Sequence, residues 1–405
     1  QYNYMKTFIQ NMQNNKKILL KIIGISAVLG YFIAKYPQTT LSVFIFVLLL
    51  GILVFVHELG HFSVAKFFGI RVDEFGMGFP PRAKKLFHRN GTDYTLNWIP
   101  FGGFVKIHGE DALEQGKDDP DYHRSMPAKP WWQQILVLIA GVTMNMLLAW
   151  GLITIAFLGG TLASVSNVTH PERVKNPQLT VLSVIPGSPA EKMGIMIGDV
   201  ITSFESLEQN FTGKTLTPEN IVRTVRENEP NTPILLGIQR GNSDQENVLI
   251  IPEYGITGNQ LALGVALDQV GIYRISFFQS IKSSAIYTLN LTKQTIHEFG
   301  KLFVGKSNLN NLTGPVGLVS VVGDAQQVGF TSVIMLAALI SVNLAVINLV
   351  PFPALDGGRV VLVLIEAITR RKININIVTW INSIGFLLLI GLMILVTVKD
   401  IIKIF

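Results

Sequence analysis

The chain has 405 residues, 49% of them hydrophobic and only 15% charged, with a mean hydropathy of +0.41; a soluble globular protein carries about a quarter charged residues, so an ordinary soluble fold is excluded. The net charge of +6 is modest, and no basic run interleaved with aromatics points to a nucleic-acid partner. Cysteine is absent, which excludes disulfides, thiolate metal sites and a cysteine nucleophile and leaves histidines and carboxylates as metal ligands.

Residues 18–34 form a weak apolar run with Lys21 near its start. Lys35-Tyr36-Pro37-Gln38 follows it in place of a small-residue cleavage pattern, so an extra spanning or interfacial helix is expected there. Stronger runs of spanning length occupy residues 41–56, 135–158, 333–349 and 381–398. Basic residues cluster at Lys16, Lys17 and Lys21, then from Lys66 to Arg89, then at Arg359, Arg370, Arg371 and Lys372. With all three clusters in the cytoplasm the spans alternate, and residues from about 160 to 330 lie outside.

His57-Glu58-Leu59-Gly60-His61 follows directly on the first strong run, in which Ser42 is the only polar side chain. On a helix, imidazoles four residues apart share one face, with a carboxylate beside them placed to activate a metal-bound water. Ionisable groups at bilayer depth mark a functional site by default. Two histidines leave a catalytic zinc one protein ligand short, and no further His or acid follows His61 before Gly69. An acid in an unusual place is Asp356, in Asn348-Leu349-Val350-Pro351-Phe352-Pro353-Ala354-Leu355-Asp356-Gly357-Gly358-Arg359. Two prolines and two glycines interrupt an apolar segment here, which lipid tolerates only where the broken backbone lines an enclosed or wet cavity. A carboxylate delivered by that break is suited to meet His57 and His61. The remaining histidines read as structural or solvated, and Trp131-Trp132 as an interfacial belt.

Residues 94–99 and 104–107 read as strands, with Asn90-Gly91 as a hairpin turn and Gly102-Gly103 as a kink. The element is either membrane-reentrant or a hairpin on the cytoplasmic surface. Farther on, residues 179–184 alternate, Thr217 is placed to cap a helix over 218–228, and 234–239, 248–251 and 261–267 are strand-like. Together they predict a compact α+β domain, and its Pro186-Gly187-Ser188-Pro189-Ala190 stretch resembles a bacterial PDZ domain. Such folds bind extended peptides by strand addition; a purely structural, access-limiting role is the alternative. Phe277, Ile281, Ala285, Leu289, Ile296, Phe299 and Phe303 then recur at helical spacing, which predicts an amphipathic helix at the outer membrane surface or against that domain.

The HELGH helix, the PDZ insert and the N-x-x-P-x-P-x-L-D-G segment, in this order, resemble the site-2 protease family, and within it the bacterial RseP/RasP-like members with a single PDZ domain. The resemblance covers about residues 41–400. It implies a polytopic α-helical membrane protein: four core transmembrane helices plus the N-terminal extra helix, a membrane-reentrant β element that pairs with extended substrate, and an inserted extracytoplasmic PDZ-like α+β domain. The organisation it implies is an N-terminal extension (1–40), a first catalytic membrane half (41–160), a PDZ-like domain (177–270), an amphipathic helical linker (271–330) and a second catalytic half (331–405). The implied activity is zinc-dependent intramembrane cleavage of single-span membrane proteins, such as anti-sigma factors or remnant signal peptides, in the bacterial cytoplasmic membrane. By motif position His57, His61 and Asp356 bind Zn2+ and Glu58 is the general acid and base. Asn348 positions the scissile backbone, and Gly141-Val142-Thr143-Met144-Asn145 meets the family's G-x-x-x-N, with Asn145 near the metal. There Asn145 either donates to a developing oxyanion or makes an interhelical hydrogen bond. The bilayer and a peptide ligand of the PDZ-like domain are further partners. Two other functions compete. A membrane-anchored zinc protease of soluble or misfolded proteins needs a sizeable soluble domain around the motif, and residues 69–130 are short for one; a non-catalytic PDZ scaffold is opposed by the intact His57, Glu58, His61 and Asp356.

Overall fold

A computed structural model describes residues 34–110, 119–168, 170–241, 244–256, 260–303 and 313–404, with Tyr31 and Gly258 besides. The chain forms two units, Gln1–Ala149 with Asn290–Phe405, and Trp150–Leu289. Nearly all of the helix expected over 18–34 lies outside the described residues.

In the first unit, helix α1 (Pro37–Phe67) starts on a proline, whose fixed φ suits the first turn, and continues for 31 residues. At 1.5 Å per residue it is about 46 Å long, more than a hydrocarbon core of about 30 Å. It ends where Gly69 takes a φ of +66°. Gly69 N–H donates to the Lys66 carbonyl at 3.1 Å and Ile70 N–H to the Ala65 carbonyl at 2.9 Å, the bond pair of a left-handed helix cap.

Strands β1 (Val72–Arg89) and β2 (Thr92–Ile107) form an antiparallel hairpin. Asn90 and Gly91 both have positive φ, 51° and 74°, as its two-residue turn requires. The pairing doubles back. Phe75 is registered with Val105 on one side and Tyr94 on the other, while Arg82 to Arg89 pair with the far edge of Thr92 to Asn97. Four segments thus lie in the order 103–107, 72–79, 92–99, 82–89. The expected strands 94–99 and 104–107 both fall within β2, and Gly102 between them has φ +81°. Its polar side chains turn inward: Thr92, Thr95 and Asn97 are buried, whereas Met77, Leu86, Phe87, Trp98 and Ile99 are exposed.

Helix α2 (Trp131–Gly159) is the next apolar helix. In the second unit come β3 (Thr161–Ser164), β4 (Val174–Val184), the one-turn α3 (Pro189–Lys192), β5 (Val200–Glu205), β6 (Asn210–Thr212), α4 (Pro218–Glu227), β7 (Ile234–Gln239), β8 (Glu246–Ile250) and β9 (Val265–Tyr273). Their antiparallel sheet runs β3-β9-β4-β5-β7-β8, with β6 on β5. Leu179, Phe204, Ile221, Val225, Ile234 and Leu236 fill its core. Thr217 caps α4, accepting from Asn220 N–H at 3.3 Å, and β7 spans the expected residues. The strand expected over 261–267 begins only at Val265, because Gly264 (φ +82°) folds against Ser188 and breaks the extended run.

Helix α5 (Phe277–Phe303) is present, but its buried stripe is not the apolar one. Ser280, Ser284, Thr288 and Thr295 are buried while Phe278, Leu289 and Ile296 are exposed. Ser284 and Thr154 hydroxyls meet at 2.6 Å, and Trp150 Nε1 donates to the Ile281 carbonyl at 3.0 Å. Small hydroxyl side chains let two helices approach closely.

The first unit resumes with α6 (Pro315–Val328), α7 (Phe330–Leu349), α8 (Asp356–Thr369) and α9 (Ile375–Ile404). Among the described residues four helices are long and apolar enough to cross a membrane: α1, α2, α7 and Asn376–Ile402 of α9. These are the four strong runs of the sequence.

Candidate metal centre

Helix α1 crosses α2 at close range because Gly60 has no side chain: a Cβ there would stand 2.7 Å from the Ala140 carbonyl carbon. His57 and His61, one turn apart on the same face, therefore reach the α2 backbone, and both are buried. His61 Nδ1 lies 2.8 Å from the Val137 carbonyl oxygen. A ring nitrogen facing a carbonyl must carry the proton and donate, which leaves Nε2 as the lone-pair site. Gly141, one turn further along α2, makes room for both rings, since a Cβ there would lie 2.7 Å from His57 Nε2.

The third member arrives from the break between α7 and α8. Val350 N–H donates to the Ile347 carbonyl at 3.0 Å and Phe352 N–H to the Val350 carbonyl at 2.7 Å, so the chain turns sharply at the end of α7. Ala354, at φ +71°, donates its N–H to Asn382 Oδ1 at 3.3 Å. The loop folds back over the start of α8, where a Cβ at Gly357 or Gly358 would run into the carbonyls of Leu349 or Phe352. The two glycines are thus a packing requirement of the break, and Asp356 is the first residue of the helix that follows it.

Asp356 Oδ2 lies 3.0 Å from His57 Nε2 and 3.4 Å from His61 Nε2, and the two imidazole nitrogens are 3.1 Å apart. Tetrahedral zinc binds N and O ligands at about 2.0–2.1 Å, which spaces them roughly 3.3 to 3.4 Å from one another. Two imidazoles and a carboxylate with these separations fit one such ion, and among the described residues this is the cluster of that kind.

The two asparagines flank His57. Asn348 Nδ2 lies 3.3 Å from its Nε2, and Asn145 Nδ2 lies 3.3 Å from its Nδ1. Asn145 is fully buried, and among the described residues nothing donates to its Oδ1. Ser341 on α7 anchors the same turn of α2, donating to the Asn145 carbonyl at 2.8 Å. Glu58 is half-buried and makes no hydrogen bond to the cluster among the described residues. It packs on the kink of β2, where a Cβ at Gly103 would stand 3.1 Å from Glu58 Cγ and 3.0 Å from Phe55 Cα.

All six residues singled out from the sequence therefore lie at or next to one point. Sequence reasoning missed the Val137 carbonyl, which belongs to no motif, and the ion pair of Arg359 with Glu110, which ties the start of α8 to the end of the hairpin. Elsewhere, His108 faces Asp119 at 2.9 Å and His88 faces Asp93 at 2.6 Å, carboxylate contacts away from the cluster.

The model of a protein family described as Peptidase family M50 matches residues 45–392. A provisionally named zinc metalloprotease of Clostridium perfringens is 37% identical, over 86% of this chain and 95% of that protein. Zinc metalloprotease RasP of Geobacillus kaustophilus is 28% identical, over 91% of this chain and 99% of its own. The PDZ domain of an SdrC-like protein from Listeria innocua is 22% identical, covering 22% of this chain and 92% of that domain with a TM-score of 0.18; at that score the likeness carries no argument.

Proposed function

Because this chain belongs to peptidase family M50, the site-2 protease family, and is a multi-pass membrane zinc metalloprotease, we propose that it cleaves the transmembrane segments of single-span membrane proteins. In this reading His57, His61 and Asp356 hold the zinc and Glu58 moves the proton. One observation carries it: His57 and His61 lie within a helix long and apolar enough to cross a membrane, and they meet Asp356, delivered by a break between apolar helices.

Zinc, when bound, polarises a carbonyl and lowers the pKa of a water it holds to about 7. Glu58 takes the proton of the attacking water and returns it to the leaving amide nitrogen, so that a carboxylic acid and a free amine form as the C–N bond breaks. Once His57 Nε2 gives its lone pair to a metal it no longer accepts from Asn348, and that N–H is free to donate to the scissile backbone. The same ligation puts the His57 proton on Nδ1, so the group opposite must accept. Asn145 does so with its amide turned to present Oδ1, which also gives that buried oxygen its partner. Asn145 is then a positioning residue acting through His57.

A substrate helix hides its carbonyls in its own hydrogen bonds, so it must unwind before it is cut. The 103–107 segment is an edge of the hairpin sheet and runs past Glu58 at Gly103; strand addition there presents an extended substrate to the carboxylate. The exposed apolar side chains of the hairpin suit a membrane-reentrant position. On the same reading the Trp150–Leu289 unit is a PDZ-like module on the extracytoplasmic side of a bacterial cytoplasmic membrane.

The test is co-expression with tagged single-span candidates of the chain or its Glu58→Gln variant. Shortened product with the first and an intact, co-purifying partner with the second is expected. Equal product with both removes Glu58 from the reaction.

A further inference from the structure

The geometry points to a second binding site: the recess at the C-terminal end of α1 receives the phosphate of an anionic phospholipid headgroup. The recess has a volume of about 470 Å³, and among the described residues its walls include Lys66, Arg89 and Arg124, the aromatic rings of Phe62 and Tyr94, and no acidic residue. That volume falls in the range of small-molecule sites, about 300–1,000 Å³.

Among the described residues three cations line the recess, and none is bridged to a carboxylate, although Asp121 lies within electrostatic reach of Arg124. Lys66 donates to the Asn90 carbonyl at 2.8 Å and lies 6.0 Å from the Phe62 ring centroid, so its position is fixed without using its charge on a carboxylate. Neither Arg89 nor Arg124 forms an ion pair among the described residues. Among the described residues the nearby acids are already committed. Asp121 is bound by Arg71 at 2.6 Å, which holds its carboxyl below the usual carboxylate range. Asp93 is bound by Lys85 at 2.5 Å and His88 at 2.6 Å, and Glu74 by Arg82. Like charges gathered in a recess repel unless an anion is shared between them, and guanidinium forks match phosphate oxygens in pairs.

The position of the recess selects the source of that phosphate. Lys66 sits in the last turn of a membrane-spanning helix. Phe67, the final helical residue, is exposed, and Phe68 packs edge-on against Trp132 at the start of α2, with centroids 5.5 Å apart. An aromatic belt with basic residues beside it marks headgroup level. A headgroup held between Lys66 on α1 and Arg89 beside the β1–β2 turn ties the catalytic helix to the hairpin.

The test uses the full-length protein in phosphatidylcholine nanodiscs, titrated with fluorescent phosphatidylglycerol. Saturable binding is expected, and Arg89→Gln with Arg124→Gln should weaken it roughly 30-fold, the loss for two surface cations. Arg89→Lys with Arg124→Lys should stay within about threefold of the unmodified protein. Lys282→Gln with Lys293→Gln, which removes equal charge from α5, should bind normally. Unchanged affinity in the first variant, equal loss in the α5 variant, or displacement of the lipid by millimolar inorganic phosphate overturns the site.

Discussion

Gly141 stands against His57 with no space to spare: a methyl group on its Cα would lie 2.7 Å from both Cε1 and Nε2 of the ring. Real Cβ contacts do not come so close, and neither the ring nor the α2 backbone is a flexible chain end. Gly141→Ala is therefore expected to abolish zinc retention and cleavage together. Gly151→Ala, ten residues along the same helix and facing open space, should leave both intact, since Ala for Gly inside a helix is favourable by about 1 kcal/mol. Metal content after gel filtration decides it.

Separating proton transfer from metal binding requires two variants side by side. Glu58→Gln keeps all three proposed ligands, so it should retain zinc while cleavage falls by about 10²- to 10⁴-fold. Asp356→Ala removes a proposed ligand and should lose zinc and activity together. Zinc loss in Glu58→Gln would mean that this carboxylate binds metal.

If Asn145 acts through His57, what position 145 must provide is an acceptor. Asn145→Asp keeps an oxygen opposite Nδ1–H and should hold zinc within a few-fold. Asn145→Leu has none and should bind zinc about 10- to 100-fold more weakly, the usual effect of losing an outer partner of a metal ligand. Equal zinc affinity in both variants, with cleavage lost, would return Asn145 to the oxyanion role.

The edge used by substrate can be located by crosslinking, since the chain has no cysteine of its own. In a Glu58→Gln background, Phe104→Cys should form a disulfide with a cysteine placed near the scissile bond of a bound substrate. Leu86→Cys, on the opposite edge of the sheet, should not. The reverse pattern would move substrate pairing to the far edge.

Much of the site was legible because its chemistry stands out against an apolar background. His57, His61 and Asp356 are conspicuous in a chain whose spanning segments hold few ionisable groups, and the paired prolines and glycines beside Asp356 announce a broken backbone. The parts that stayed hidden are those made of backbone or of missing side chains. The carbonyl of Val137 carries no mark of its role, and Gly103 matters for what it lets Glu58 approach. The long strand β1 escaped notice because Pro80, Pro81 and the charges from Arg82 to Arg89 look like a loop; the prolines lie where it passes from one edge of the 92–99 segment to the other. On α5 the hydrophobic period was real, but the stripe buried against protein is the hydroxyl one, and Phe278, Leu289 and Ile296 are exposed.

Asp356 is 299 residues away from His57 along the chain, with the whole Trp150–Leu289 unit made in between. The first two apolar helices carry only two of the three proposed ligands, so a chain synthesised no further than α2 would lack the third. On the proposed ligand set, hydrolytic competence would wait for the segment between α7 and α8. Two separately synthesised fragments, divided within that middle unit, should regain it only by assembling in the same bilayer.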